Sequence, residues 1–308
     1  MLAPVCLFVW KRYDHLVRTL SALKSNYLAR ETELYVCSNA AISEEEKDSV
    51  EKIRSYVSAF EGMKKTTLIC NEINKGISEN LIKNVTKILK IYGKIIVLED
   101  DMITSPNFLD FMNQALNFYQ GFDNIQQIAG YCIPFDIKST YDTYFIPRSC
   151  SWSWATWKDK WDRINWTPDK SQLLSVDWKR FCSAGEDMKV MLKALANGTL
   201  NTWDITSDYS IYMNHMLTVF PTKSFIFNIG MDGTGEHCPK TDRYNSELVQ
   251  PDKREFVFDK EVAVNPKILR LYSKFYKLSW KSKIYNILSP IKPLVAVWRF
   301  MKSYLKVW

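Results

Sequence analysis

The chain has 308 residues, of which 46% are hydrophobic and 24% are charged, a composition typical of a globular protein with a full core. Its net charge of +7 is unevenly distributed, because residues 263–308 contain ten Lys or Arg and no acidic residue, whereas the rest of the chain is slightly acidic. This distribution excludes a uniformly basic surface, and no nucleic acid partner is expected.

The cysteine pattern and the lengths of the apolar runs indicate where in the cell the protein is expected to lie. There are seven Cys, an odd number, and no Cys-x-x-Cys pair, which predicts reduced thiols in a cytoplasmic protein. The N-terminus has no basic region before its apolar stretch, and no apolar run reaches 18 residues. Neither a signal peptide nor a spanning helix is therefore expected.

Strand-like and helix-like segments alternate through the first 120 residues. Helical spacing of Leu16, Leu20 and Leu23 follows the first strand-like run, and residues 77–91 have the same periodicity. Such alternation predicts an α/β fold with a mostly parallel central sheet covered by helices, and with ligand-binding loops at the carboxyl ends of the strands. The runs predicted as strands are 4–9, 34–37, 67–70 and 95–98.

Two helix starts are marked by capping residues. Ser43 and Glu46 have the spacing of a capping box, which predicts a helix ending near residue 57. Ser105 is followed by Pro106 and is expected to cap a helix ending near residue 119.

The second half of the chain is less regular. Five Trp fall within residues 150–166, and the spacing of Trp154, Trp157 and Trp161 predicts one face of a helix packed into the core. We expect Trp152 and Trp154, at the start of this stretch, to contact a sugar. The other predicted segments are a strand at 127–133, helices at 186–196 and 209–216, and a glycine-rich loop at 228–237.

The basic C-terminus is expected to be a distinct segment. Residues 1–262 are predicted to form one α/β domain and residues 263–308 a basic amphipathic tail with nine aromatic residues. Cations mixed with interfacial aromatics suit the surface of an anionic membrane, and packing on the domain is the alternative. A peripheral location at the inner face of the cell membrane is the corresponding expectation.

An acidic triplet, Glu99, Asp100 and Asp101, directly follows the apolar strand predicted at 95–98. Adjacent carboxylates repel one another unless a cation is present, and Mg²⁺ and Mn²⁺ are bound by one or two carboxylates together with substrate phosphates. A solvated acidic turn is the alternative. The position at the end of a buried parallel strand favours the metal site.

The segment 97–108, VLEDDMITSPNF, resembles the donor-binding segment of the N-acetylglucosaminyltransferase I family and its bacterial relatives, and a weaker resemblance extends over residues 3–240. These are inverting glycosyltransferases of the GT-A fold. The resemblance implies that Asp101 binds Mn²⁺ or Mg²⁺, that Asp100 and Glu99 contact the sugar and the ribose of a nucleotide-sugar donor, and that Arg12 reaches the nucleotide.

The resemblance extends to the residues that correspond to the nucleotide-binding positions of the family, with one difference from the family pattern. The turn containing Asn74 and Gly76 is similar to one near the nucleotide in that family. Where such enzymes often carry an Asp that recognises the base, this chain has Asn39. A UDP-sugar is the first expectation, with dTDP and other nucleotides left open.

The catalytic base is expected near residue 204. Trp203-Asp204 matches a Trp-Asp motif of the family, so Asp204 is the first candidate, with Asp208 and then Glu186-Asp187 as alternatives. The glycine-rich loop resembles one that closes over the donor, which implies that Gly233 lies near the phosphates and that His237 binds diphosphate or metal.

The predicted activity is transfer of a sugar from the nucleotide-sugar to a hydroxyl of a saccharide or lipid-linked acceptor, in surface polysaccharide or glycolipid synthesis. A metal-dependent nucleotidyltransferase would also use the carboxylates, although the chain has no P-loop signature. A non-catalytic carbohydrate-binding protein is the third hypothesis.

Overall fold

The computed structural model describes residues 1–234 and 240–280 and has a mixed α/β architecture. The strands are β1 Val5–Val9, β2 Glu33–Ser38, β3 Lys65–Cys70, β4 Lys94–Glu99, β5 Met102–Thr104, β6 Ile125–Ala129, β7 Thr143–Ile146, β8 Ser153–Trp157, β9 Leu217–Pro221 and β10 Ile226–Asn228. The α-helices are α1 Tyr13–Lys24, α2 Glu44–Ser58, α3 Gly76–Tyr92, α4 Phe108–Phe118, α5 Lys158–Trp161, α6 Lys170–Leu174, α7 Trp178–Phe181, α8 Asp187–Ala196, α9 Trp203–Met213 and α10 Pro266–Phe275.

The central sheet has eight strands in the order β3-β2-β1-β4-β8-β6-β9-β7. Strands β1 to β4 are parallel, and β6 and β9 run in the same direction, whereas β7 and β8 are antiparallel to their neighbours. The predicted α/β fold with a mostly parallel sheet is therefore confirmed. One edge of this sheet collects the carboxyl ends of six strands and the amino ends of β7 and β8.

Burial on both faces of the sheet explains its composition. All five residues of β1 are buried, as a central parallel strand requires. Helix α1 buries Leu16, Leu20 and Leu23 on one face of the sheet, and α3 buries Leu81, Val85, Ile88 and Leu89 on the other. These helices have the predicted 3.6-residue periodicity.

Both helix starts differ from the prediction in detail. Helix α2 begins after Ser43, but the Ser43 side chain caps nothing, and Glu46 accepts from the amide of Ile42 at 2.9 Å instead. Helix α4 begins at Phe108 rather than at Pro106, because Ser105 donates through Oγ to Asn107 Oδ1 at 2.8 Å and Asn107 takes the N-cap position.

The prediction of a tryptophan-faced helix is wrong. Trp154 and Trp157 lie on β8, which is inserted between β4 and β6, and only Trp161 is helical, on α5. The strand predicted at 127–133 is β6, which begins earlier, and the helix predicted at 209–216 is part of α9, which begins at Trp203.

The first part of the C-terminal segment packs on the domain. Helix α10 buries Ile268, Tyr272 and Phe275, and the Tyr272 hydroxyl lies 2.9 Å from that of Tyr144 on β7. Residues 281–308, which contain most of the predicted tail, lie outside the described residues. Within residues 1–234 and 240–280, the helices are too short or too polar to traverse a bilayer, and the cysteines there are unpaired.

Candidate active site

The acidic triplet lies at the carboxyl edge of the sheet. Glu99 ends β4, and Asp100 and Asp101 form the turn into β5 with 4% and 6% of their surface exposed. Arg12 follows β1, the parallel neighbour of β4, and its guanidinium pairs with Asp100 and, at 2.9 Å through Nη1, with Asp101 Oδ2. Parallel pairing of β1 and β4 thus brings together four residues that the sequence predicted as donor and metal ligands.

This cluster carries excess negative charge. Burial raises the pKa of Asp100 to about 6, although Arg12 acts in the opposite direction. Burial and then the Asp101 and Asp100 carboxylates raise the pKa of Glu99. One guanidinium faces three carboxyl groups, so the cluster is favourable for a further cation.

A divalent cation fits one position in the cluster. Asp101 Oδ1 is buried and has no hydrogen-bond partner, whereas Oδ2 is held by Arg12. Among the described residues no group of three His, Cys, Asp or Glu side chains could hold a metal ion by itself. A cation at Asp101 would therefore complete its shell with oxygens from a bound diphosphate and water, which is the usual arrangement for Mg²⁺.

Gly230 lies directly on this cluster. Strand β10 pairs with β5, and the Ile229 amide donates to the Asp101 carbonyl at 2.9 Å. A Cβ at Gly230 would lie 2.0 Å from Asp101 Oδ2 and 2.9 Å from Arg12 Nη1. Sequence reasoning placed the glycine-rich loop here but selected Gly233, which has φ of +93° and where a Cβ would make only ordinary contacts, at 3.6 Å, with Lys240.

The same loop makes a second contact that the sequence did not indicate. His15 Nε2 on α1 lies 3.1 Å from Asp232 Oδ2. His15 and Asp232 are more than 200 positions apart, so neither periodicity nor local motifs could pair them. The predicted phosphate or metal contact of His237 lies outside the described residues.

Asn39 holds two loops together at the carboxyl edge of the sheet, beyond the ends of β2 and β3. Its Oδ1 accepts from the amides of Ala40 and Lys75, each at 3.2 Å, and from Asn71 Nδ2 at 3.1 Å. Its Nδ2 donates to Asn74 Oδ1 at 3.1 Å. The amide is thus satisfied by the protein, and a direct contact with a base would have to replace one of these bonds.

Asn74 and Gly76 shape the second of these loops. Asn74 donates through Nδ2 to the Ala40 carbonyl at 2.7 Å and accepts from the Gly76 amide at 2.8 Å. Gly76 has φ of +69° with open space around it, a backbone conformation that favours glycine. The loops after β2 and β3 are therefore fixed relative to each other.

Helix α9 brings two further carboxylates to the site. Asp204, in its first turn, is half-buried, accepts from Thr202 Oγ1 at 2.6 Å, and lies close enough to Glu99 to raise its pKa. Asp208, one turn later, is 4% exposed and accepts from the Ser149 amide at 2.5 Å. Burial raises the pKa of Asp208 to about 7.

Arg148 organises the far side of α9. Its guanidinium forms two hydrogen bonds with Asp187, at 2.8 and 2.6 Å, and stacks on the Tyr276 ring at 3.8 Å. Asp187 is therefore paired, and Glu186 accepts from the Leu278 amide at 3.2 Å. Arg148 lies in the irregular segment between β7 and β8, where the sequence carries no signal for it.

The expected sugar contact of Trp154 is wrong. The indole is 1% exposed, stacks on Trp161 at 5.7 Å and lies 5.1 Å from Trp203, so its ring is enclosed by core residues. Trp152 is half-buried and contacts Tyr131 and Tyr244 edge-on, at 4.7 and 5.3 Å between ring centroids.

No protein-family model and no curated protein matches this sequence. Solved structures similar to the chain include S. aureus TarS 1-349 in complex with UDP-GlcNAc, with 11% identity over 73% of this chain and 58% of that one and a TM-score of 0.43. GalNAc-T7 with UDP, GalNAc and Mn²⁺ has 12% identity over 72% and 42%, with a TM-score of 0.43. The mannosyltransferase PcManGT from Pyrobaculum calidifontis, in complex with GDP-Man and Mn²⁺, has 12% identity over 54% and 47%, with a TM-score of 0.38.

This chain therefore spans only 42–58% of the length of these three structures. All three contain a nucleotide or nucleotide-sugar. At these TM-scores the likeness is partial.

Proposed function

We propose that this chain is a metal-dependent glycosyltransferase that moves a sugar from a nucleotide-sugar, first of all a UDP-sugar, to a hydroxyl group of a saccharide or lipid-linked acceptor. The single observation that carries the proposal is Asp101 Oδ1, a buried carboxylate oxygen without a protein partner, in a cluster of three acids at the carboxyl edge of the sheet. Ligand sites of α/β sheets lie at this edge.

The donor is held by the cluster and by the residues around it. Asp101 is the ligand for Mn²⁺ or Mg²⁺, which would neutralise charge on the departing diphosphate. Arg12, which pairs with Asp100 and Asp101, offsets part of their charge before the donor binds and would contact the same diphosphate. The fixed loops containing Asn39 and Asn74 line the nucleotide end, and Glu99 and Asp100 face the ribose and sugar.

Asp204 is our candidate for the base. It is half-buried, it lies near Glu99, and Thr202 orients its carboxylate at 2.6 Å. The Asp204 carboxylate removes the proton of the acceptor hydroxyl as that oxygen attacks the anomeric carbon, which inverts the configuration. Asp208 is enclosed by protein and held by Ser149, so it positions α9 rather than touching the acceptor.

Two substitutions test these roles by isothermal titration and by nucleotide release. With Mn²⁺, we expect UDP-sugars such as UDP-GlcNAc to bind the wild-type protein, and Asp101→Asn or EDTA to weaken binding by about tenfold or more. Asp204→Asn should leave donor binding intact and lower transfer by roughly 10²–10⁴-fold.

The control is Asp110→Asn, which removes a buried carboxylate on α4 that is paired with Arg254. It should alter neither donor binding nor transfer. Release of pyrophosphate from a nucleoside triphosphate would indicate a nucleotidyltransferase. The proposal would be contradicted if Asp101→Asn with Mn²⁺, and the wild-type protein in EDTA, bound the donor as tightly as the wild-type protein with Mn²⁺.

A peripheral membrane location remains part of the proposal, since a lipid-linked acceptor would lie at the membrane surface. The basic and aromatic composition of residues 263–308 supports it.

A further inference from the structure

A cavity of about 290 Å³ opens at the same edge of the sheet as the acidic triplet. It lies between the ends of β6 and β9, and its lining includes Cys132, Phe135, Lys223, Asn245 and Glu247. The sheet order β4-β8-β6-β9 separates it from Glu99 by two to three strands. With neighbouring strands about 4.8 Å apart, the cavity begins about 10 Å from the triplet.

Trp152 occupies the space between the triplet and the cavity. It directly precedes Ser153, whose pairing with Leu98 is the last of the β4–β8 ladder, and Glu99 is the residue after Leu98. On its other side the half-buried indole contacts Tyr131 and Tyr244, the residues that precede the lining residues Cys132 and Asn245. The edge of the sheet thus runs from carboxylates to an aromatic cluster and then to a polar cavity.

The charges at the cavity mouth balance each other. Lys223 Nζ lies 2.5 Å from Glu247 Oε2, with side chains 40% and 67% exposed, and Asp136, which also lines the cavity, lies 4.0 Å from Lys138 Nζ. Such a pair presents hydrogen-bond donors and acceptors without a net charge, which matches the hydroxyl groups of a neutral sugar. Aromatic rings beside polar groups are likewise suited to the mixed C–H and O–H surface of a pyranose.

We propose that this cavity and Trp152 form the acceptor subsite, and that the acceptor is a neutral oligosaccharide of at least two rings. One ring lies against Trp152, with its hydroxyl group near Asp204 and Glu99, and the next ring reaches Lys223 and Glu247. This assignment rests on the proposed function, because it names the acceptor of the same reaction.

The test measures disaccharide binding and donor binding separately on the same proteins. Cellobiose, lactose and N,N′-diacetylchitobiose are the probes, with saturation-transfer NMR and titration as readouts. At least one probe should bind the wild-type chain, and Lys223→Ala and Trp152→Ala should each weaken it about tenfold, the effect of losing one strong contact. Titration of UDP-GlcNAc with Mn²⁺ should be unchanged in Lys223→Ala.

Matched controls are Lys64→Ala, at an exposed lysine paired with Glu33, and Trp178→Ala, at a half-buried tryptophan on α7. Both should bind the probes as the wild-type chain does. Failure of all three probes to bind the wild-type chain, or wild-type affinity for the probes in both Lys223→Ala and Trp152→Ala, overturns the subsite. If the disaccharides bind but UDP-GlcNAc does not, the result counts against the proposed function and not against a saccharide site at this cavity.

Discussion

At the level of single residues, the tightest steric constraint in the site is at Gly230. We expect Gly230→Ala to displace the Asp101 carboxylate or the Arg12 guanidinium, because the new methyl group would lie 2.0 Å from Asp101 Oδ2. Donor affinity measured by titration with Mn²⁺ should fall by about tenfold or more, since Asp101 loses its ligand geometry. The control is Gly198→Ala, at an open position with φ of +70°, which should cost some stability and leave donor affinity intact. If Gly230→Ala binds the donor with wild-type affinity, the loop containing Gly230 moves to accommodate the methyl group, which contradicts this prediction.

The raised pKa of Asp208 predicts that the stability of the protein depends on pH. Its folded pKa, raised by burial to about 7, exceeds the unfolded value of about 3.9. The folded protein therefore keeps a proton that the unfolded chain releases, and the free energy of unfolding falls as the pH rises from about 4 to 7. Asp208→Asn, which retains an acceptor for the Ser149 amide, should flatten this slope in urea unfolding at pH 5 to 8.

Asp123→Asn is the matched control for that experiment. The pKa of Asp123 is lowered, first by Arg163 and then by Lys160, so its contribution is constant between pH 5 and 8. An unchanged slope in Asp208→Asn would contradict the assignment of the pH dependence to this carboxyl group.

Single residues also mark where sequence reasoning reached its limit. The position of the triplet was predictable because a parallel sheet gathers the residues that follow its strands, and the family resemblance added Arg12. Asn39 was correctly placed at the same edge, but its role in joining two loops depends on Asn71 and Lys75, which no local pattern connects to it. Trp154 and Trp157 were misassigned to a helix because their spacing of three fits a helix face, whereas on β8 it places them on opposite faces of the sheet.

At the level of elements, the pair Arg148–Asp187 joins the segment between β7 and β8 to helix α8. Arg148→Leu leaves the Asp187 carboxylate without its partner, and we expect a loss of about 2–4 kcal/mol in the free energy of unfolding. The double variant Arg148→Leu, Asp187→Leu should recover most of that loss, because no unpaired charge remains. Urea unfolding of the wild-type protein, the two single variants and the double variant gives the interaction free energy between the Arg148 and Asp187 side chains.

A comparison pair is available on the surface. Lys158, the first residue of α5, and Asp162, its C-cap, form an exposed (i, i+4) pair, and its removal should cost no more than about 0.5 kcal/mol. Additive effects at Arg148 and Asp187 would mean that the pair does not hold α8 in place.

The strands and helices of the first half of the chain were predictable from the sequence, whereas those of the second half were predictable only in part. Strands β1 to β4 are short apolar runs between amphipathic helices, and this local periodicity determines a parallel sheet. Strands β7 and β8 pair antiparallel with partners distant in sequence, and β8 separates β4 from β6. Only the long-range contacts of the folded chain determine that insertion.

At the level of the whole molecule, the location of α10 changes how the basic tail can be tested. A chain ending at residue 262 loses Ile268, Tyr272 and Phe275 from the core, a loss of about 5 kcal/mol or more. A chain ending at residue 280 keeps these contacts and should unfold at the same temperature as the full chain. If the tail binds membranes, the 280-residue chain should no longer sediment with vesicles containing anionic lipids, whereas the full chain should.

The control for sedimentation is a vesicle of neutral lipid, which should retain neither chain. Equal retention of the full and the 280-residue chains on anionic vesicles would contradict membrane attachment by the tail. A lowered unfolding temperature of the 280-residue chain would instead indicate that residues beyond 280 pack on the domain.

The end of α10 supports both proposed halves of the site. Phe275 packs against Phe135 and Tyr244 at the cavity wall, and Tyr276, the next residue, stacks on Arg148. Replacing the cavity loops to accept a different saccharide would remove the residues against which α10 packs. Re-engineering acceptor choice in this scaffold therefore requires exchanging α10 together with the loops.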